Sequence, residues 1–184
     1  MAAIDIFSIQ PTQLCKDLRG RFVLLYGIAK SGKTSMSAMW PKPLIIAFEK
    51  GYNALVGVKA ADVASWADFK NICRQLKKAE AKEVYETIVI DTIAIAYALC
   101  EKYIIAREGV TAISEIPYGK GWGMLKDEFE TAFRELTQLG YALVFIAHSK
   151  TKKTEYVDEE GNELDALAPD LPNTAYQIVN RMVD

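Results

Sequence analysis

Residues 27–34 read Gly-Ile-Ala-Lys-Ser-Gly-Lys-Thr, and no other string in the chain narrows its fold as far. The pattern is G-x-x-x-x-G-K-[ST], which requires a strand before it and a helix after it. Phe22–Tyr26 (FVLLY) is a continuous apolar run of strand formers. Lys33 to Trp40 (KTSMSAMW) reads as a short helix that Pro41 stops. The glycines let successive backbone N–H groups turn inward around phosphate oxygens, where a Cβ would crowd the bend. Lys33 reaches the β/γ-phosphates as a point charge, and the Thr34 hydroxyl is suited to Mg²⁺. Gly27, Ile28, Ala29, Lys30, Ser31, Gly32, Lys33, Thr34 and Ser35 are therefore the candidate cofactor-binding residues, with ATP and Mg²⁺ the expected ligands.

At 184 residues the chain is long enough for one sizeable core, which predicts a single domain over 1–184. No apolar stretch approaches the roughly 18–20 residues that span a bilayer. The start, MAAIDIFSIQ, is acidic at Asp5 and lacks the basic region of a signal peptide. Cys15, Cys73 and Cys100 are odd in number and widely spaced, which suits reduced thiols, and with one histidine a zinc site is not expected. These features together predict a cytoplasmic location. Twenty-two basic against 24 acidic residues leave a net charge of −2, so any nucleic-acid binding has to come from a local patch or from repetition in an oligomer.

Strand and helix patterns alternate along the chain, which predicts an α/β fold with a mostly parallel central sheet flanked by helices. The second expected strand is Pro43–Phe48. A polar loop follows, and Ser65 then caps a helix from Trp66 to about Ala81, with Phe69, Ile72, Cys73 and Leu76 on its apolar face. Lys70, Arg74, Lys77 and Lys78 lie mostly on another face, read either as a solvated surface or as a DNA-binding stripe. Thr87–Asp91 is the third strand, and Ala94–Ala106 the next helix. Ile116–Gly123 (IPYGKGWG) reads as a glycine-punctuated turn before a helix over Met124–Leu139. Ala142–Ala147 is the fourth strand, ending at His148. Beyond it Thr151–Asp165 is polar, with Glu160-Gly161-Asn162 as the turn of a small hairpin, and a last helix starts near Thr174. That pattern is still running at Asp184, so a longer natural protein is expected.

A phosphate loop needs a second anchor for the metal, normally an acid at the tip of a buried strand. Ile88-Val89-Ile90-Asp91 supplies it, making Thr34 and Asp91 the candidate metal residues. Thr92 stands where many related enzymes carry a catalytic Glu directly after this Asp, so the base has to come from elsewhere. Glu49, at the carboxyl end of the second strand, is on the rim where ligands of open α/β sheets bind. It is either the group that orients the attacking water or an exposed acid paired with Lys50 or Lys59. His148 ends the fourth strand on the same rim, placed to contact the γ-phosphate or to make a structural hydrogen bond. Lys33, Glu49, Asp91 and His148 are the candidate catalytic residues.

These residues resemble a RecA-type ATPase core. The features in common are the phosphate loop, Phe48-Glu49, Asp91-Thr92 and a polar group at His148. Further strings are similar to the small phage and prophage ATPases of the single-strand-annealing recombinase group: Tyr26-Gly27, Pro41–Leu44, Ser65–Phe69, Tyr118–Trp122 and Ala147–Lys150. The resemblance implies ATP hydrolysis in recombination, binding of single-stranded DNA, a single-strand-binding protein as partner, and a homo-oligomeric ring or filament. It also implies that the sensor strand lies between the two nucleotide-binding strands, and that a neighbouring subunit supplies a Lys or Arg finger. Lys150, Lys152 and Lys153 are candidates for finger or DNA contact, or else form a solvated hairpin edge. The acids Asp158-Glu159-Glu160 repel phosphates and disfavour a conventional DNA-binding loop there. Two other readings stand beside this one: a nucleotide-gated regulator that switches a protein partner without DNA, and a small-molecule kinase. The kinase needs an arginine-bearing lid, whereas Arg occurs only at 19, 21, 74, 107, 134 and 181.

Overall fold

The computed structural model describes residues 18–157 and 159–183; Cys15, Asp158 and the lead before residue 18 lie outside the described residues. A sheet forms from β1 (Phe22–Gly27), β2 (Pro43–Ala47), β3 (Lys59–Asp62), β4 (Thr87–Asp91) and β5 (Ala142–Val157), in the order β1-β5-β4-β2-β3. All of these pairs are parallel, and β6 (Glu163–Pro169) adds to β5 antiparallel. The sensor strand β5 thus lies between β1 and β4, the order that the RecA resemblance implies. Helices α1 (Lys33–Ala38), α2 (Trp66–Leu76), α3 (Ala79–Val84), α4 (Ile93–Glu108), α5 (Lys120–Gln138) and α6 (Asn173–Met182) complete the fold. Among the described residues, no helix is long and apolar enough to cross a membrane.

Alternation along the strands splits the sheet into two faces. Leu44, Ile46, Ile88, Ile90, Leu143 and Phe145 join the larger core under α2, α4 and α5. Ile45, Ala47, Val89, Val144 and Ile146 form a smaller cluster on the other face, with Ala38 and Trp40 packed against it. Trp66 anchors the larger side, with ring centroids 4.7 Å from Phe69 and 5.8 Å from Phe129, and its indole N–H donates to Glu128 at 3.0 Å. Burial pushes the Glu128 carboxyl up, but hydrogen bonds from Lys70 and Trp66 outweigh this and hold it below its ordinary range.

Ion pairs Lys70–Glu128 at 2.8 Å and Lys77–Glu135 at 2.7 Å run down the α2–α5 seam. Lys70 and Lys77, two of the four basic residues considered for a DNA-binding stripe, are therefore engaged by acids of α5. Cys73 and Cys100 are free and buried, and burial raises the Cys73 thiol to about 12, so it stays protonated.

Several expected boundaries shift for physical reasons. The helix expected to reach Ala81 stops at Leu76, its last buried residue, and α3 restarts after an extended Lys78. β3 falls inside the expected polar loop; its sequence, KAAD, carries no β-branched or aromatic residue, and its pairing with β2 supplies what its composition does not. The first helix ends at Ala38 rather than Trp40. β5 is not a short strand but runs sixteen residues, from the core into the hairpin with β6. The turn expected to run to Gly123 ends sooner, because α5 begins at Lys120.

Gly121 explains that last difference. A Cβ on it would meet the Ile113 carbonyl oxygen at 2.5 Å and Ile113 Cγ1 and Ile116 Cδ1 at 2.9 Å. The glycine marks a close approach inside a helix, not a break in it. Gly121→Ala should therefore destabilise the fold by about 1–3 kcal/mol through overpacking, although alanine is the better helix former. Urea unfolding checks this; a midpoint at or above that of wild type would contradict it.

Candidate functional site

The loop from Ala29 to Ser35, the start of α1 and the carboxyl ends of β2, β4 and β5 enclose a cleft of about 570 Å³. Lys33, Glu49, Asp91 and His148 all line it, although they come from four separate segments. Parallel pairing explains the convergence, since it brings the strand ends to one rim: Ala47 is in register with Asp91, and Gly27 with His148.

Within the loop, Lys30 has φ 61° and Gly32 has φ 87°, left-handed conformations that fold the backbone around the cleft. The Lys33 ammonium donates to the carbonyls of Gly27 at 2.9 Å and Ile28 at 2.8 Å, spanning the loop it belongs to. Ser37 is buried and donates to the Lys33 carbonyl at 2.9 Å, which ties α1 to its first residue.

Thr34 and Asp91, the candidate metal residues, are brought together. The Thr34 hydroxyl donates to Asp91 Oδ2 at 2.7 Å, and Asp91 is only 4% exposed. The Asp91–Thr92 peptide is cis. Burial raises the Asp91 carboxyl above its ordinary value; the Thr34 hydrogen bond opposes this, the Glu49 carboxylate adds to it, and Lys33 and His148 pull back. A hydroxyl beside one carboxylate is a hard oxygen donor set of the kind that holds Mg²⁺ together with substrate phosphates. Among the described residues, no group of three or more His, Cys, Asp or Glu is placed to hold a metal ion alone. Gly51 keeps a side chain away from the pair. A Cβ on Gly51 would lie 3.2 Å from Asp91 Oδ2 and 3.5 Å from Thr34 Oγ1, so glycine keeps that flank open.

Glu49 is held by its backbone. The Asp91 carbonyl accepts the N–H groups of both Phe48, at 2.7 Å, and Glu49, at 3.0 Å. The Glu49 side chain is exposed in the cleft and lies 3.4 Å from His148 Nε2. The alternative pairing with Lys59 does not form, since Lys59 lies over the Tyr85 ring at 5.2 Å. The lysines beyond β5's core stretch are not brought into the cleft. Lys150 is engaged by Asp170 at 3.2 Å and by the Leu171 carbonyl at 3.3 Å, while Lys152 and Lys153 are exposed on the hairpin.

Sequence reasoning missed the turn after Glu49, where Lys50, Gly51, Asn53 and Ala54 also line the cleft. The signal was a glycine two residues after an acid at a strand end, beside a phosphate loop. Among the described lining residues the cations are Lys30, Lys33 and Lys50, and no arginine is present.

Residues 19–184 match the AAA domain family. The chain belongs to that family. It is also 35% identical over 175 residues to the SPbeta prophage-derived uncharacterized protein YorG of Bacillus subtilis (strain 168). That alignment covers 94% of this chain and 54% of the relative, so the chain spans about half the length of the protein it matches. As an AAA domain, the chain is a P-loop nucleotide-binding fold.

The buried Asp91 carboxyl gives this AAA domain a testable trade. Its folded form holds a proton more tightly than its unfolded form, so its contribution to stability falls as pH rises from about the ordinary value of 3.8 through the raised one. Asp91→Asn should gain melting temperature at neutral pH, by roughly 2–4 °C for each ~1 kcal/mol relieved. The gain should shrink near pH 4, and the stabilisation by Mg²⁺ with nucleotide should be lost. Thermal melts with and without ligand at the two pH values check all three outcomes.

Proposed function

We propose that the chain is a Mg²⁺-dependent ATPase of RecA-like type that acts in phage DNA recombination or single-strand annealing. The observation carrying the ATPase reading is the position of Glu49. It faces the same cleft as the phosphate loop, and its backbone hangs on the carbonyl of the residue that holds the metal. A carboxylate there accepts a hydrogen bond from water, orients it in line with the γ-phosphate and takes its proton as the P–O bond to the leaving group breaks. ADP and phosphate are the products. Lys33, turning from its own loop carbonyls to the phosphates, balances their charge. Mg²⁺, when held by Thr34 and Asp91, neutralises charge developing on the transferred group.

His148 supplies the coupling. It shares a contact with Glu49, and its carbonyl accepts the Asp170 N–H at 2.7 Å at the root of the hairpin. A change at the γ-phosphate that moves the His148 ring away from Glu49 therefore acts at the hairpin's base. The absence of arginine among the described lining residues supports a finger from a neighbouring subunit, as does the exposure of Ile28, Met36 and Met39 beside the loop. The recombination role rests on the resemblance to prophage ATPases and on the prophage origin of YorG, a protein of about twice the matched length.

A nucleotide-gated regulator is the second reading, favoured by the near-neutral charge of −2. Glu49→Gln distinguishes the two. For the ATPase, turnover should fall by about 10²–10⁴-fold while ATP affinity stays within a few-fold of wild type. Single-stranded DNA should stimulate wild-type turnover and leave the variant unaffected. No wild-type binding to single-stranded DNA at low salt, with or without ATP, would remove the recombination reading and leave the regulator.

A further inference from the structure

Between α4 and α5 the chain makes two short helical turns, Ile113–Glu115 and Pro117–Gly119, and at their end presents Tyr118 to solvent. Tyr118 is 95% exposed, and its backbone sits at φ 60° and ψ 24°, the left-handed region that a bulky side chain seldom adopts. Gly119 follows at φ 67°, so two consecutive left-handed residues form the corner. The corner is pinned rather than loose. Ile113 and Ile116 are buried, Gly121 is seated against the Ile113 carbonyl, and Glu115 is tied to the Thr111 N–H at 2.9 Å and to its hydroxyl at 2.6 Å. Strained backbone persists where surrounding structure over-determines it, and such sites concentrate where function needs a side chain displayed.

The display has a chemical character. The Lys120 ammonium lies 5.7 Å from the centre of the Tyr118 ring, and Trp122, 44% exposed, follows on the first turn of α5. Two exposed aromatic residues flank one cation over five residues of sequence, and the nearest acid in sequence, Glu115, is engaged by Thr111. Rings that stack on bases, with a cation for the phosphate between them, are what a single strand of nucleic acid requires. A folded protein surface would more often be met by a contiguous apolar patch, whereas here the apolar neighbours Ile113 and Ile116 are buried.

The position also fits. α5 runs alongside α2, as the successive pairs Lys70–Glu128 and Lys77–Glu135 show, and α2 starts from the carboxyl end of β3. The start of α5 therefore lies toward the sheet rim that carries the nucleotide cleft. We infer that Tyr118, Lys120 and Trp122 form a stacking site for single-stranded DNA, which names the contact surface within the proposed recombination function and rests on that reading.

The test uses the whole chain and a labelled oligothymidine of about 20 nucleotides, followed by anisotropy in a salt series. Tyr118→Gly and Trp122→Ala should each weaken binding about tenfold or more, and Tyr118→Phe should retain it. Lys120→Gln should lower the salt slope by about one. Glycine relieves the left-handed strain, so Tyr118→Gly should melt no lower than wild type, which separates loss of a contact from loss of fold. If wild type binds the strand and the variants bind equally well, the stacking site is overturned and the two rings are assigned to a protein partner. If wild type does not bind, the recombination reading itself fails, a result distinct from the first.

Discussion

The hydrogen bond between Thr34 and Asp91 closes the molecule across 57 residues of sequence at a length of 2.7 Å. It joins the loop after the edge strand to the tip of an interior strand, and a carboxylate that is 4% exposed has to be satisfied there. The neighbouring elements answer that need. The carbonyl of the same residue accepts two N–H groups from the end of β2, and the following turn brings Gly51 against its oxygen. Thr34 of the phosphate-loop motif, the backbone of Glu49 and the turn at Gly51 are thus gathered around one residue's polar atoms. A buried acid of this kind lowers the stability of the bare fold and is suited to a site completed by a cation.

How much of this was legible in the sequence depends on what kind of signal each part carries. The phosphate loop and Ile88-Val89-Ile90-Asp91 were legible because local pattern and position coincide: a buried strand must be apolar, and an acid at its end must face the rim. Glu49 and His148 were legible for the same reason, as strand-end residues of a parallel sheet. β3 was not, because KAAD has no strand signal of its own and forms through its partner β2. Gly51 and Gly121 were opaque in a different way. Each is a glycine required by a distant atom, Asp91 Oδ2 in one case and the Ile113 carbonyl in the other, and no local window contains that atom. The reading of IPYGKGWG as a plain turn failed on this point, since two of its glycines, Gly121 and Gly123, belong to a helix.

The two faces of the sheet are unequally covered. Three long helices and an aromatic cluster seal one face, while six-residue α1 and the turn after β2 cover the other beside the cleft. Chemistry is concentrated on the thinly covered side, where backbone N–H groups and strand ends remain reachable. The thick side supplies the rigidity against which that geometry is held.

β5 carries a mechanical consequence. From Leu143 to Ile146 it is clamped between two parallel neighbours, Ala147 and His148 are paired with β1 alone, and from Ser149 onward it is paired by β6. Its lateral support therefore drops after Ile146, two residues before His148, which meets Glu49. The nine residues beyond reach roughly 30 Å at ordinary strand rise, bent where the ladder slips between Lys153 and Val157. Such a strand is a beam fixed at one end, with its fulcrum beside the cleft that His148 lines. A tilt too small to disturb the clamped portion becomes a displacement of ångströms at the tip.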